Sequence, residues 1–432
     1  MVDVSPPDLS LHDVALLDMD VRSPEPSVDG DRIDLYRLPV TDLGRYRLVV
    51  VPGMADQEFL ARHREVIRGY LDGGGVLLFG GHLHRDWLPG ASRFVPLHPP
   101  SLASYRVAEI APHPIFDGVG PDDLTFRRGV AGFFARGHHP PPPGAQVLVR
   151  LAGGEPATYV DQVSTAGTIV VHTTADLFTH GEPGTPAARV PGQLVAWARA
   201  QGRRDGGASA PVAAPADGPP GTGTGHGLAA VHSGSAPHHR ALTTPQYARH
   251  LTGGLLYLPD LARTDLTGYD AVVLPERMHR GLLTAAAPRL HELLDAGGTI
   301  VAFAGGEPLP EFLPGVRFDP RPTNFWWWLE PGAGLGLRTP SPEHPLFEHL
   351  SLRDCTWHYH GALTPPAGAQ TLVALPSGEA LLYVDRVSTP GTLVVSTLDP
   401  LTHFGGHFMP ATERFLDGFL PWLGGAVVRS AR

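Results

Sequence analysis

Lysine is absent from this chain of 432 residues, and all 33 basic side chains counted apart from histidine are arginines. Without an amine side chain there is no Schiff-base or pyridoxal phosphate chemistry and no lysine for a phosphate-binding loop. Cysteine is almost as scarce. The single Cys355 excludes an internal disulfide and a multi-cysteine structural zinc site. Long apolar runs are missing too, none approaching the roughly 18 to 20 residues that a membrane span needs. The opening MVDVSPPDLSLHDVALL has acids and prolines where a secretory signal carries basic and apolar residues. We therefore expect a cytoplasmic protein with no membrane partner. A formal charge of −10, a pI near 6.1 and the lack of any basic cluster with interleaved aromatics argue against nucleic acid. The abundance of Gly, Pro, Ala and Arg without Lys reads most simply as GC-rich coding.

What the chain does have is a repeat. Tyr159 to Val171 reads YVDQVSTAGTIVV and Tyr383 to Val395 reads YVDRVSTPGTLVV, 224 positions apart (383 − 159). Both copies continue into Asp-x-x-Thr-His, Asp176 to His180 and Asp399 to His403, and only the second adds Gly405-Gly406-His407. Repetition over most of a chain predicts two copies of one folding unit. We place them at 1–200 and 228–432. The intervening 201–227 is Gly, Ala, Pro and Thr with few bulky side chains, a composition that predicts a flexible linker.

Each copy alternates strand and helix. In the first, Tyr46 to Val51 is a continuously apolar strand closed by Pro52, Phe59 to Leu71 recur at helical spacing, and Val76 to Phe79 is the next strand. In the second, Leu228 to Val231 is followed by the loop HSGSAPHHR, a helix around Thr244 to Leu251 and a strand at Leu255 to Leu258. Then come the strand Tyr269 to Leu274, a helix carrying Leu282 to Leu294 and the strand Thr299 to Phe303. Glycines at 73–75 and 297–298 supply the helix stops. The first copy shows no helical period over Asp18 to Asp31 and reads as the degenerate one. The pattern predicts α/β domains with doubly wound, mainly parallel sheets and β-rich insertions.

Ligands of such sheets bind beyond the carboxyl ends of the strands. In the second copy those loops supply His232, Ser233, Glu276, Arg277, Gly305, Gly306 and Glu307, then Asp399, His403 and His407. The doubled Asp-x-x-Thr-His also reads as a turn held by its own side chains, although a turn does not require the histidine. Trp327, in NFWWWL, is a candidate ligand contact at a pocket rim. Packing of a loop insertion, or a seal between the two copies, is the preferred reading. The pair His138 and His139, before four prolines, reads as solvated loop.

YDAVVLP, the amphipathic helix after it, LLDAGGTIVAFAGG and a late strand whose loop carries histidine before ATERFLDGFLPWL together resemble the class I glutamine amidotransferase-like superfamily. The resemblance implies a flavodoxin-like fold for each copy. It also implies a nucleophile elbow at Ala304-Gly305-Gly306-Glu307, and at Phe79-Gly80-Gly81-His82 in the first copy. Neither elbow holds cysteine or serine, so the family's acyl-enzyme route is closed. Cys355, 50 positions past Gly305 (355 − 305), reads as a buried unpaired thiol.

The reading reached from sequence is a divergent relative without glutaminase activity and without a cofactor. It would bind a small polar ligand or a protein partner through the second domain, with His403, Asp399 and Glu307 as candidate acid-base residues. The alternative is a hydrolase of a small polar or sugar-like substrate using a His/Asp site, with or without a divalent ion such as zinc. The ligands of such an ion would come from His358, His360, His403 and His407, the last pair on a loop, together with Asp399.

Overall fold

A computed structural model describes residues 13–19, 30–132, 134–174, 177–178, 180–201, 222–304, 313–321, 325–407 and 410–426. The expectations placed on Gly305, Gly306, Glu307, Asp176 and most of 18–31 and 201–227 fall outside the described residues. The chain forms two compact units divided at 218/219.

The first unit builds strands β1 (Val14–Asp18), β2 (Asp31–Asp34), β3 (Leu48–Val51), β4 (Val76–Gly80), β5 (Val107–Ile110), β6 (Gln146–Leu151), β7 (Pro156–Asp161) and β8 (Thr168–His172). They lie in the order β2-β1-β3-β4-β8-β7-β6-β5, parallel from β2 to β8 and antiparallel from β8 onward. The helical stretch expected over Phe59 to Leu71 is two helices, α1 (Gln57–Arg62) and α2 (Arg64–Asp72), broken at His63. Helix α3 (Val190–Ala200) closes the unit.

The second unit repeats the plan with β9 (Leu228–His232), β10 (Gly254–Tyr257), β11 (Ala271–Leu274), β12 (Thr299–Phe303), β13 (Arg317–Pro320), β14 (Gly361–Thr364), β15 (Gln370–Ala374), β16 (Ala380–Asp385) and β17 (Thr392–Ser396). Their order is β10-β9-β11-β12-β17-β16-β14-β13, with β15 also on β16. Strands β10, β9, β11, β12 and β17 run parallel, and the rest pair antiparallel. This is an α/β architecture with a large mixed sheet in each unit.

Period-two alternation sends neighbouring residues of these strands into different cores. Val273, Val301 and Val394 pack with Phe415 and Phe419 of the terminal helix on one face. Val272, Ile300 and Leu393 pack with Leu290, Leu293 and Leu294 on the other. The strands are therefore apolar at every position, because both faces are covered. The first leucine-rich helix ends where Gly297 takes φ 87°, and Gly298 N–H then bonds the Leu293 carbonyl at 2.9 Å.

One expected loop is instead a helix. In HSGSAPHHR the stretch Ala236–Thr243 is helical (α4), and only a short second helix, Pro245–Ala248, covers part of the expected 244–251. Ser235 in extended conformation before Ala236-Pro237 is a helix start that the polar composition concealed. Further along are α5 (Arg280–Asp295), α6 (Pro400–Gly405) and α7 (Pro410–Ala426). Among the described residues no helix is long and apolar enough to cross a membrane.

Candidate metal centre

His358 and His360 sit in the irregular approach to β14, and both imidazoles reach the Asp399 carboxylate, whereas Tyr359 packs against the core. Asp399 follows β17 and occupies the N-cap position of α6, and His403 lies one helical turn later on the same face. The sheet order brings these segments together, although 39 positions separate His360 from Asp399 (399 − 360).

One ligand atom from each of His358, His360, Asp399 and His403 falls within a common span of 4.8 Å. His360 Nε2 is 3.0 Å and His403 Nε2 2.9 Å from Asp399 Oδ2, while His358 Nε2 is 3.6 Å from Oδ1 and 2.9 Å from His403 Nε2. Trp357 Nε1–H donates to Asp399 Oδ1 at 3.2 Å, and Arg277 Nη2 stands 3.7 Å from Oδ2. Tetrahedral zinc with bonds of about 2.0–2.1 Å sets its ligand atoms about 3.3 Å apart. The contacts at 2.9–3.0 Å lie within a few tenths of an ångström of that spacing. Two Nε2 atoms facing each other share one proton at best, whereas a cation takes a lone pair from each.

Asp399 is wholly buried. Burial alone would raise its pKa, but His403, His358 and His360 hold it well below the usual carboxylate range. Burial also lowers the pKa of His403, to about 4. The ring is therefore neutral near pH 7, and the dipoles of ring N–H groups, with Trp357, hold the carboxylate. Neutral imidazole beside ionised carboxylate is the protonation state a divalent ion requires.

Glu276, two residues past β11, is also wholly buried. Burial first, and repulsion from Asp399 second, push its pKa up to about 7. Its Oε1 accepts Thr402 N–H at 2.5 Å, and Oε2 has no hydrogen-bond partner among the described residues. Its carbonyl oxygen is 2.9 Å from His238 Nε2, and His238 Nδ1 is 2.9 Å from Ser233 Oγ. Ser233 and His238 have no exposed surface, so this pair anchors the Glu276 backbone away from solvent. Arg277 follows with φ 58°, a left-handed conformation uncommon for a residue with a side chain.

Several sequence-predicted residues fall elsewhere. His407 is not in the converging set, whereas Asp399, expected beside the histidines, is. α6 stops at Gly405, the cap residue Gly406 follows, and His407 turns off with φ 59°. His403 is on this short helix rather than on a loop. His232 packs half-buried against the Tyr257 ring at 5.2 Å. Trp327 is half-buried and donates its indole N–H to the Trp357 carbonyl at 2.6 Å, bracing the segment that carries His358. Phe325 lies edge-on to His358, with ring centres 4.7 Å apart. Cys355 is buried and unpaired. His139, expected in solvated loop, is buried and accepts Leu83 N–H at 3.1 Å.

Among the described residues the first unit does not repeat this constellation. At the repeat offset of 224, Phe134 and Arg136 stand where the second unit has His358 and His360, FARG against HYHG. His180 keeps the position of His403, but its Nε2 lies 3.1 Å from the Leu124 carbonyl and its ring packs on Phe134. Gly53 stands in the place of Glu276, where a Cβ would lie 2.9 Å from the Gly80 carbonyl oxygen. The sequence signals for these residues were the close spacing of His358 and His360 and the place of Glu276 in a loop at a strand end. Nothing local in sequence marks Trp357 as the donor to Asp399.

No family model matches the chain, and no curated protein matches it. Among solved structures it is similar to Gan42B, a GH42 beta-galactosidase, at 11% identity and TM-score 0.24, over 56% of this chain and 37% of that one. A beta-galactosidase from the psychrophilic Marinomonas ef1 aligns at 13% identity and TM-score 0.21, over 44% of this chain and 29% of its own. The chain thus spans well under half the length of these enzymes. At such scores the likenesses bear on neither fold nor chemistry.

Proposed function

We propose that the second unit binds a divalent metal ion through His358, His360, Asp399 and His403 and uses it to hold a small polar ligand. The convergence of three imidazole nitrogens and one carboxylate within 4.8 Å, at the carboxyl end of a parallel sheet, supports this reading. The order of the parallel strands in each unit supports a flavodoxin-like scaffold related to class I glutamine amidotransferases. Glutaminase chemistry is not part of the proposal, because the expected elbow holds no cysteine or serine and Cys355 is a buried thiol.

A hydrolytic role is favoured by one further observation, the buried Glu276 carboxyl with its pKa near neutrality. A bound ion supplies Lewis acidity and acidifies water. Glu276, whose carboxyl is bonded to Thr402 N–H next to His403, would be the proton acceptor in this reading, and Trp357 holds Asp399 in position.

Elemental analysis of the purified full chain tests the central proposal. We expect about one divalent ion per chain, its loss in His403→Ala, and its retention in His180→Ala. A metal-free protein that takes up neither zinc nor cobalt on dialysis would refute it.

A further inference from the structure

Resting on the metal reading, the aromatic side chains that border the centre define the class of ligand it takes. The Phe325 ring centre is 4.7 Å from that of His358 and 6.0 Å from that of His360, inclined at 65° and 63° to the two imidazoles. Asp399 is fully enclosed and the His358 side chain keeps 5% exposure, whereas His360 and His403 keep 10% and 12%. What solvent reaches the centre therefore meets His360 and His403, and Phe325 adjoins the first of these. Phe325 is itself 47% exposed and Trp328, three residues on, 51%. The Trp328 indole is held in place, since its N–H donates to the Phe325 carbonyl at 3.2 Å. Trp327 of the same turn already supplies the anchor, through its N–H to the Trp357 carbonyl. Packing accounts for Trp327 and leaves the exposure of Phe325 and Trp328 unexplained. Aromatic rings fixed half in solvent beside a polar centre are what a ligand face requires.

The aromatic turn occurs only in the unit that has the metal cluster. Trp87-Leu88-Pro89-Gly90 matches Phe312-Leu313-Pro314-Gly315 at an offset of 225 (313 − 88), and His113-Pro114-Ile115-Phe116 matches His344-Pro345-Leu346-Phe347 at 231 (344 − 113). The second unit is thus six residues longer between these marks (231 − 225), and this longer stretch contains Phe325 to Trp328. The first unit has no tryptophan between Gly90 and His113.

A ligand shared by the ion and these rings has to present oxygen donors and an apolar face within about one ring's width, because only 4.7 Å separates Phe325 from the His358 ring. A cyclic sugar does so: hydroxyl oxygens at its rim reach the ion while the C–H groups of one face lie on an aromatic ring. We infer that the ligand is a pyranose sugar, held between the metal ion and the Phe325–Trp328 turn.

Cobalt(II) loaded into the full chain tests this, because its visible absorption responds to a new oxygen ligand. Of D-glucose, D-galactose and D-mannose, at least one should shift that spectrum. Glycerol, which has the hydroxyls but no ring, should bind more weakly. Phe325→Ala and Trp328→Ala should each raise the dissociation constant of the responding hexose about three- to tenfold, the loss of one aromatic contact, with cobalt stoichiometry unchanged. Phe325→Tyr, which keeps the ring face, should retain wild-type affinity. A spectrum unmoved by all three hexoses, glycerol binding as tightly as the hexose, or hexose affinity untouched by both alanine substitutions would overturn this inference and leave the metal centre standing. Failure of cobalt to bind at all would overturn both.

Discussion

Replacing Glu276 with glutamine keeps an acceptor for Thr402 N–H and removes the ionisable proton. The wholly buried carboxyl is shifted from its ordinary 4.5 to about 7. A carboxyl raised in the folded state contributes stability in full below the unfolded pKa, and that contribution is lost as pH rises through the folded value. The gap between 4.5 and about 7 corresponds to about 3 kcal/mol once both values are passed. Glutamine has no such dependence. Between pH 5 and pH 8.5 the stability of Glu276→Gln should therefore gain about 2 to 3 kcal/mol relative to wild type. For a unit of this size that is about 4 to 12 °C in melting temperature. The assay is thermal unfolding of the metal-free full chain across that range, with the first unit as an internal reference that should not move. Parallel pH curves for the two proteins would show that Glu276 is solvated or paired in the folded state and would refute the argument.

Other perturbations read different parts of the same site. Trp357→Phe removes the N–H donated to Asp399 without touching a metal ligand, and should weaken metal affinity roughly tenfold to a hundredfold by equilibrium dialysis. Gly405→Ala places a Cβ 2.0 Å from the Pro237 carbonyl oxygen, where α6 meets α4. It should cost about 1 to 3 kcal/mol in denaturant unfolding and weaken metal binding, since it displaces the helix that carries His403. Cys355→Ala should cost only about 1 kcal/mol and leave the metal content unchanged. Burial raises the Cys355 thiol pKa, so wild-type Cys355 should also resist iodoacetamide until the chain unfolds.

How much of this was legible in sequence depended on the range of the forces involved. The strand Thr299–Phe303 falls where its apolar run placed it, because burial on both sheet faces leaves a local compositional mark. The helix Ala236–Thr243 was hidden because its content, PHHR, is polar, and its start carries no side-chain cap, only Pro237 in the first turn. His358 and His360 were visible as a pair, and Asp399 with His403 as another. That the two pairs converge follows from the order of β14, β16 and β17 in the sheet, which no local spacing encodes. His407 was attractive by spacing alone and fell outside the converging set once the helix ended at Gly405.

The two copies separate what the scaffold needs from what the site needs. Both keep the apolar strand and the histidine that follows it, and in the first unit His180 is a neutral core group bonded to the Leu124 carbonyl, with burial lowering its pKa to about 4. A buried histidine at this position is therefore compatible with a purely structural role, and His403 alone would say nothing about chemistry. The distinction lies in its surroundings. The second unit surrounds His403 with two more imidazoles, an ionised carboxylate, an arginine and a carboxyl near neutrality. The first offers a phenylalanine, a buried arginine and a glycine with no room for a side chain. Holding several desolvated titratable groups together is unfavourable unless they compensate one another or something is bound among them. The first unit also buries titratable groups here, His172 and Arg136 beside His180, but among the described residues it does not bring three imidazoles and a carboxylate within 4.8 Å as the second does, and that contrast argues for a bound cation more strongly than any one distance in the cluster.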